Sequence, residues 1–141
     1  MTIPSKPAAR KQSLAPFRLR RHADYQRAYA GARKHQSASM SWFLAPQAAA
    51  GGSGPTEPRV GLTAGKVLGK AHERNRIKRR LREALRRHLD LLPPASDLIF
   101  HPRRAVLTLE FQKLEAEVVR ILSQARAKAE RALQQPGRLT P

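Results

Sequence analysis

The sequence has no cysteine, only ten acidic residues and few aromatic residues. Without cysteine the chain can form neither disulfide bonds nor thiolate metal sites. Its five histidines show no metal-ligand spacing with carboxylates, and no apolar run approaches the length of a membrane-spanning helix. The scattered acids form no carboxylate pair that could divide acid and base roles. We therefore expect neither protein catalytic residues nor a metal bound by the protein.

What the chain has in excess is positive charge. Its 141 residues include 28 Lys or Arg, which gives a formal net charge of +18. This is typical of a protein that binds nucleic acid. Most of the excess lies before residue 89, whereas the remainder is nearly balanced. Such an uneven distribution indicates a defined cationic face on a single domain.

The segment 66–88, KVLGKAHERNRIKRRLREALRRH, concentrates this charge on a predicted helix. Its apolar positions recur at helical spacing and are expected to form a buried face: Ile77, Leu81, Ala84, Leu85 and His88. The rest of the circumference is cationic, so the helix can pack on a core and offer guanidinium groups to phosphates. Arg74-Asn75-Arg76 opens it, where free backbone N–H groups favour anions. Asn75 can contact nucleic acid or cap the helix, and the sequence leaves both open.

The remaining patterns predict further elements in chain order: a helix over 23–30 ending at Gly31, strands over 40–45 and 59–65, the basic helix to about residue 92, a strand over 96–102, and a helix from about 108 to 134. Thr108 is expected to cap the last helix, with Glu117 on its outer face. This order predicts an α/β fold, an α+β sandwich with a small sheet.

The domain limits follow from composition. Residues 1–16 are predicted to be a disordered basic arm, 17–134 the folded domain with a flexible loop at 46–58, and 135–141 a disordered tail. The Arg-rich start also resembles a transit peptide, but its prolines interrupt any amphipathic helix. We favour the arm and a cytoplasmic location.

Two tyrosines suggest a second functional surface. Tyr25 and Tyr29 are four residues apart on the first predicted helix, among several arginines. Aromatic rings among cations suit unstacked, single-stranded RNA. The alternative is that both rings belong to the core and only their hydroxyls reach the surface, and the sequence leaves this open.

Residues 59–87, RVGLTAGKVLGKAHERNRIKRRLREALRR, resemble the signature of the bacterial ribonuclease P protein component. The resemblance continues through LRRHADYQRAYAGAR before this segment and SDLIFHPRRAVLTLEF after it, and covers about residues 17–125. It implies a fold like domain 2 of ribosomal protein S5, with a left-handed crossover that carries the basic helix, against the usual right-handed preference.

The resemblance also implies a function. In that family a catalytic RNA uses Mg²⁺ to remove the 5′ leader from precursor tRNA, so the expected partners are this RNA and precursor tRNA. No cofactor is then held by the protein alone, Mg²⁺ acts through the RNA, and one copy of the protein serves each RNA. A ribosomal or general structural RNA-binding protein is the alternative function, since it also fits the charge and size.

Site residues are carried over by position. The implied RNA-binding set is Lys66, Lys70, Arg74, Asn75, Arg76, Lys78, Arg79, Arg80 and Arg82. The implied leader-binding cleft contains Phe17, Tyr25, Tyr29, Arg33 and Trp42, with Leu44 as the alternative residue from the sheet.

Overall fold

The computed structural model describes residues 13–47 and 57–133. Its helices and strands are α1 (His22–Gly31), β1 (Arg33–Gln36), β2 (Met40–Pro46), β3 (Arg59–Leu62), α2 (Ala71–Arg86), β4 (Ser96–Pro102) and α3 (Phe111–Leu133). Short 3₁₀ turns occur at Ala15–Phe17, Lys66–Leu68, Leu89–Leu91 and Arg104–Leu107. Most of the predicted arm and loop, and all of the predicted tail, lie outside the described residues, so their disorder stays a prediction.

The four strands form one sheet in the order β1-β2-β4-β3. β2 is antiparallel to β1 and to β4, whereas β3 is parallel to β4. The connection from β3 to β4 contains the basic helix α2. The predicted α/β sandwich is therefore confirmed. The handedness of this crossover remains what the resemblance implies.

The edge strand β1 was not predicted. Its sequence RKHQ is polar throughout and has neither an apolar run nor an alternating pattern. It is a strand because it pairs along its whole length with β2, from Arg33 opposite Leu44 to Gln36 opposite Ser41. A charged edge strand also discourages pairing with other chains.

Two layers of helix cover the two faces of the sheet. The larger core lies on the face covered by α2 and α3, and includes Trp42, Leu98 and Phe100. The smaller core lies on the face covered by α1, where Ile99 is fully buried and Phe43 partly buried. Successive side chains of a strand point to opposite faces, so neighbours in sequence belong to different cores.

The basic helix buries the predicted face but is shorter than predicted. Ile77, Leu81, Ala84 and Leu85 are all fully buried, and burying a Leu or Ile side chain contributes about 1.5–3 kcal/mol. The helix ends at Arg86 rather than near residue 92. His88 therefore lies outside the helix and is only half-buried. Its Nε2 lies 2.8 Å from a Glu115 carboxylate oxygen.

Two predictions about the last helix were wrong. Thr108 does not cap it, because the helix begins at Phe111 and Thr108 ends the preceding 3₁₀ turn. Glu117 is buried rather than outward, and accepts hydrogen bonds from the Ser39 amide at 2.8 Å and the Ser39 hydroxyl at 2.7 Å, together with one from the Ser37 hydroxyl. The β1–β2 turn that supplies these donors packs on α3, which the sequence did not reveal.

Candidate RNA interface

The entry to the basic helix is fixed by a charged pair. Gly69 has a φ of +128°, which side chains rarely adopt, and a Cβ there would collide with the Glu73 and Arg104 side chains. Glu73 accepts from the Lys70 amide at 3.0 Å and pairs with Arg104 at 2.9 Å. The Arg104 hydrogen bond, ahead of the other causes, lowers the pKa of Glu73 to about 2. Arg104 also donates to the Leu68 carbonyl at 2.6 Å, so it ties the lead segment to the helix.

The structure spreads the predicted RNA-binding set over this lead and along α2. The exposed members are Lys66, Lys70, Asn75, Arg76 and Arg79. The half-buried members are Arg74, Lys78, Arg80 and Arg82. Asn75 is the fifth residue of the helix rather than its cap, so the capping alternative is wrong. Its exposed amide is free of a structural role at the helix end.

Arg80 belongs partly to the fold. Its guanidinium donates to the Leu109 carbonyl, which ties α2 to the segment before α3. Burial, and then the nearby charge of Arg76, lower the pKa of Arg80. Removing Arg80 therefore changes both the charge of the helix and a tertiary contact.

Tyr25 and Tyr29 occupy different environments on the α1 side of the sheet. Tyr25 is half-buried and its ring packs against Gly61, where an added Cβ would be 2.6 Å from its hydroxyl oxygen and 2.7 Å from Cε1. Burial is the main reason that the pKa of Tyr25 is raised. Tyr29 is 36% exposed, so its ring remains accessible. The core alternative therefore describes Tyr25 better than Tyr29.

Three residues absent from the predicted cleft complete the surface around Tyr29: Lys34, Phe43 and His101. Tyr29 Oη lies 2.6 Å from His101 Nε2 and shares a hydrogen bond with it. The centroid of the Phe43 ring lies 5.2 Å from that of the Tyr29 ring, which it meets edge-on. It lies 4.9 Å from the centroid of the His101 ring, to which it is tilted. Burial, and then the charge of Lys34, lower the pKa of His101, which favours its neutral form. We call Tyr25, Tyr29, Lys34, Phe43 and His101 the aromatic surface.

Three predicted cleft residues are not on this surface. Trp42 is 1% exposed and lies on the opposite face, stacked on His35 at 4.2 Å. Arg33 pairs with Leu44, and directly paired residues point to one face, so Arg33 shares the face of Trp42. Phe17 packs against the larger core. The residues on the Tyr29 face are instead their sequence neighbours Lys34 and Phe43, which are paired across β1 and β2.

The alternation of the strands was the signal that could have found these residues. Leu98 and Phe100 alternate along the predicted strand 96–102, so they share one face and His101 belongs to the other. The same alternation places Phe43 and Trp42 on opposite faces.

Over residues 13–47 and 57–133, no helix is long and apolar enough to cross a membrane.

A cationic helix on one face of a small α/β sandwich and an aromatic surface on the other define a basic domain of the nucleic-acid-binding class. The family model for ribonuclease P matches residues 15–126. The chain is 38% identical to the ribonuclease P protein component of Chloroflexus aggregans over 77% of this chain and 76% of that protein. It is 36% identical to that of a Synechococcus species over 79% and 83%. The chain belongs to the ribonuclease P protein component family.

Solved structures share the fold. The RNase P protein of Staphylococcus aureus matches with a TM-score of 0.65 at 24% identity, over 78% of this chain and 95% of that one. The RNase P protein of Thermotoga maritima matches with a TM-score of 0.65 at 22% identity, over 76% and 96%. Family membership makes this chain a bacterial protein of tRNA processing and a subunit of an endoribonuclease.

Proposed function

We propose that this chain assists a catalytic RNA in the Mg²⁺-dependent removal of the 5′ leader from precursor tRNA, as one copy per RNA in the cytoplasm. The observation that carries the proposal is the placement of two different surfaces on opposite faces of one sheet. The cationic helix α2 covers one face, and the aromatic surface lies on the other. A structural RNA-binding protein needs the first surface but has no use for the second.

The helix suits a folded RNA. Its exposed cations follow the lead segment and the outer side of α2, from Lys66 to Arg79. Arginine and lysine there can neutralise phosphates and release counterions, which gives binding that depends strongly on salt. We assign the catalytic RNA to this helix.

The aromatic surface suits a short single strand. Phe43 and Tyr29 offer ring faces and edges to an unstacked base, and Lys34 offers a charge to the backbone. His101 and the Tyr29 hydroxyl place hydrogen-bonding groups beside the rings. A leader passing over α1 and β2 would meet all of these groups, whereas mature tRNA has no leader to present.

The chemistry is assigned to the RNA. Mg²⁺ prefers carboxylate and other oxygen ligands, and the described part of the chain contains no cluster of three or more His, Asp or Glu residues that could hold a metal. In this proposal no residue of the protein takes part in the cleavage step itself. Its contribution is to offset phosphate repulsion and to hold the leader.

The test is cleavage of a 5′-labelled precursor tRNA by a bacterial ribonuclease P RNA, with and without the purified chain, over a range of Mg²⁺ concentrations. The protein should lower the Mg²⁺ concentration that half-maximal cleavage requires, and should cleave nothing alone. An unchanged Mg²⁺ requirement would favour the structural RNA-binding alternative. Cleavage by the RNA-free protein would contradict the assignment of the chemistry.

A further inference from the structure

A concavity of about 260 Å³ lies between the segment that precedes α1 and the C-terminal half of α2. Arg18 and Leu14 line one side, and Arg79, Arg82, Glu83 and Arg86 line the other. Pockets for drug-sized ligands usually measure about 300–1,000 Å³, and a water molecule fills about 30 Å³. The space therefore fits one small charged group together with water.

The charges of this concavity are not balanced internally. Glu83 accepts from Arg86 at 3.1 and 2.7 Å and from Arg87 at 3.0 Å, so both of its oxygens are occupied. The side chains of Arg18, Arg79 and Arg82 form no hydrogen bond or ion pair with any residue that the structure describes. Three arginines thus line one space in which the acid present, Glu83, is already paired with Arg86 and Arg87.

Arg82 shows the imbalance most directly. Its Nε is shielded from water and has no acceptor among residues 13–47 and 57–133. Burial, and then the charge of Arg18, lower the pKa of Arg82. A buried donor without a partner is rare in folded proteins and points to a ligand or solvent that supplies the acceptor.

The walls are held in place before any ligand arrives. Leu14 is 6% exposed and belongs to the larger core. The Leu19 amide donates to the Val60 carbonyl at 2.8 Å, and Arg18 bridges to Val60 beside β3. The opposite wall is the helix itself. The backbone that carries these arginines is therefore in place before binding, so only their side chains need to be ordered by a ligand.

We propose that this concavity binds one phosphate group, with Arg82 as its central contact and Arg18 and Arg79 beside it, and that the phosphate belongs to an RNA backbone. Planar guanidinium groups suit phosphate because they can donate two parallel hydrogen bonds. Asn75, Arg79, Arg82 and Arg86 follow one side of α2 at i, i+4, i+7 and i+11, so an RNA strand on the exposed helix leads into the concavity. The RNA partner rests on the proposed function, whereas the phosphate site does not.

The first experiment uses inorganic phosphate as the probe. Sodium phosphate is titrated into the full chain at constant ionic strength while NMR follows the Nε–Hε resonances of its arginines. The Arg82 resonance should shift saturably, Arg18→Gln should weaken that response at least about threefold, and Arg131→Gln on the exposed face of α3 should leave it unchanged. Equal, non-saturating shifts of all arginine resonances would overturn the site.

The second experiment measures affinity for ribonuclease P RNA. Arg82→Gln should raise Kd about tenfold or more, as for a lost charge-assisted contact, and should reduce the salt slope by about one. The matched Arg131→Gln variant should change Kd less than about threefold. If Arg82→Gln lowers the melting temperature, Arg18→Gln carries the test, because its side chain is exposed.

The outcomes separate the two proposals. Saturable phosphate binding with no RNA binding by the wild-type chain would leave the site standing and remove the proposed function. RNA binding that Arg82→Gln and Arg18→Gln weaken no more than Arg131→Gln does would overturn the RNA assignment of the site, which would then take free phosphate only.

Discussion

Replacing Tyr29 with alanine should reduce affinity for precursor tRNA that carries a 5′ leader and leave affinity for mature tRNA unchanged. Tyr29 is the accessible ring of the aromatic surface. One stacked base is worth about 1–3 kcal/mol, which corresponds to a loss of about fivefold to 150-fold in affinity. Mature tRNA lacks the base that would stack, so its binding provides the internal reference.

The same substitution should cost some stability, and the structure gives its size. The edge-on contact with Phe43 at 5.2 Å is worth about 0.5–1.5 kcal/mol. The hydrogen bond to His101 at 2.6 Å is worth a similar amount, about 0.5–1.5 kcal/mol. The Tyr29→Ala chain should therefore lose about 1–3 kcal/mol of unfolding free energy and remain folded.

The matched control is Tyr29→Phe. It keeps the ring but removes the hydroxyl that pairs with His101. Stability should fall by about 0.5–1.5 kcal/mol, while leader affinity should stay within about twofold of wild type if stacking dominates. Tyr25→Ala provides the contrast, because Tyr25 packs on Gly61 and should lose mainly stability.

The assay is equilibrium binding of the assembled protein–RNA complex to two tRNAs that differ only in the leader, beside urea unfolding of each protein variant. An equal loss of affinity for both tRNAs, with stability within the expected range, would refute leader contact by Tyr29. If Tyr29→Phe loses as much affinity for the leader-bearing tRNA as Tyr29→Ala does, the leader contacts the hydroxyl rather than the ring.

Three further predictions address the helix and the core. Arg76→Ala should weaken binding to ribonuclease P RNA by about 1.5–3 kcal/mol without changing the melting temperature. Arg80→Ala should lower both the affinity for this RNA and the melting temperature, because it also loses the hydrogen bond to the Leu109 carbonyl. Identical affinity and melting temperature in the two variants would contradict this. Glu117→Ala should reduce the unfolding free energy in urea by roughly 2–5 kcal/mol, since it leaves buried donors unpaired, and a loss below about 1 kcal/mol would contradict the network. The lowered pKa of Glu73, about 2 against an ordinary 4.5, means that its ionised form stabilises the fold above pH 4.5 and that this stabilisation is lost as the pH falls towards 2. The melting-temperature difference between wild type and Glu73→Gln should accordingly be present at pH 7 and largely gone at pH 2, and a difference independent of pH would refute the ion pair.

The basic helix shows what could be predicted locally. Its buried residues Ile77, Leu81, Ala84 and Leu85 repeat with the helical period, and each is fully buried in the structure. A periodic pattern depends only on residues within a few turns of one another, so it can be recognised without knowing what the helix packs against. Its end at Arg86 was less predictable, because helix ends depend on capping and on the packing of the following turn.

The polar segments show what the local pattern could not supply. The strand Arg33–Gln36 exists because β2 pairs with it, and the buried Glu117 is stable because a turn about 80 residues away in sequence donates to it. The sequence around neither the strand nor Glu117 contains a local pattern that indicates its distant partner. A charged residue on a helix is usually exposed, so Glu117 was assigned to the surface until the fold supplied its donors.

The sequence by itself determined the class of fold, the cationic helix and its inner face, because charge and helical period are properties of short segments. Strand alternation separates Phe43 from Trp42, but only the tertiary structure decided which of the two faces lies beside Tyr29. A shift of one residue moves a strand side chain to the opposite face, so Phe43 and Lys34 lie on that surface, whereas Trp42 and Arg33 lie on the other face. The hydrogen bond between Tyr29 and His101 joins residues 72 positions apart in the sequence, and only the assembled sheet brings those two side chains together.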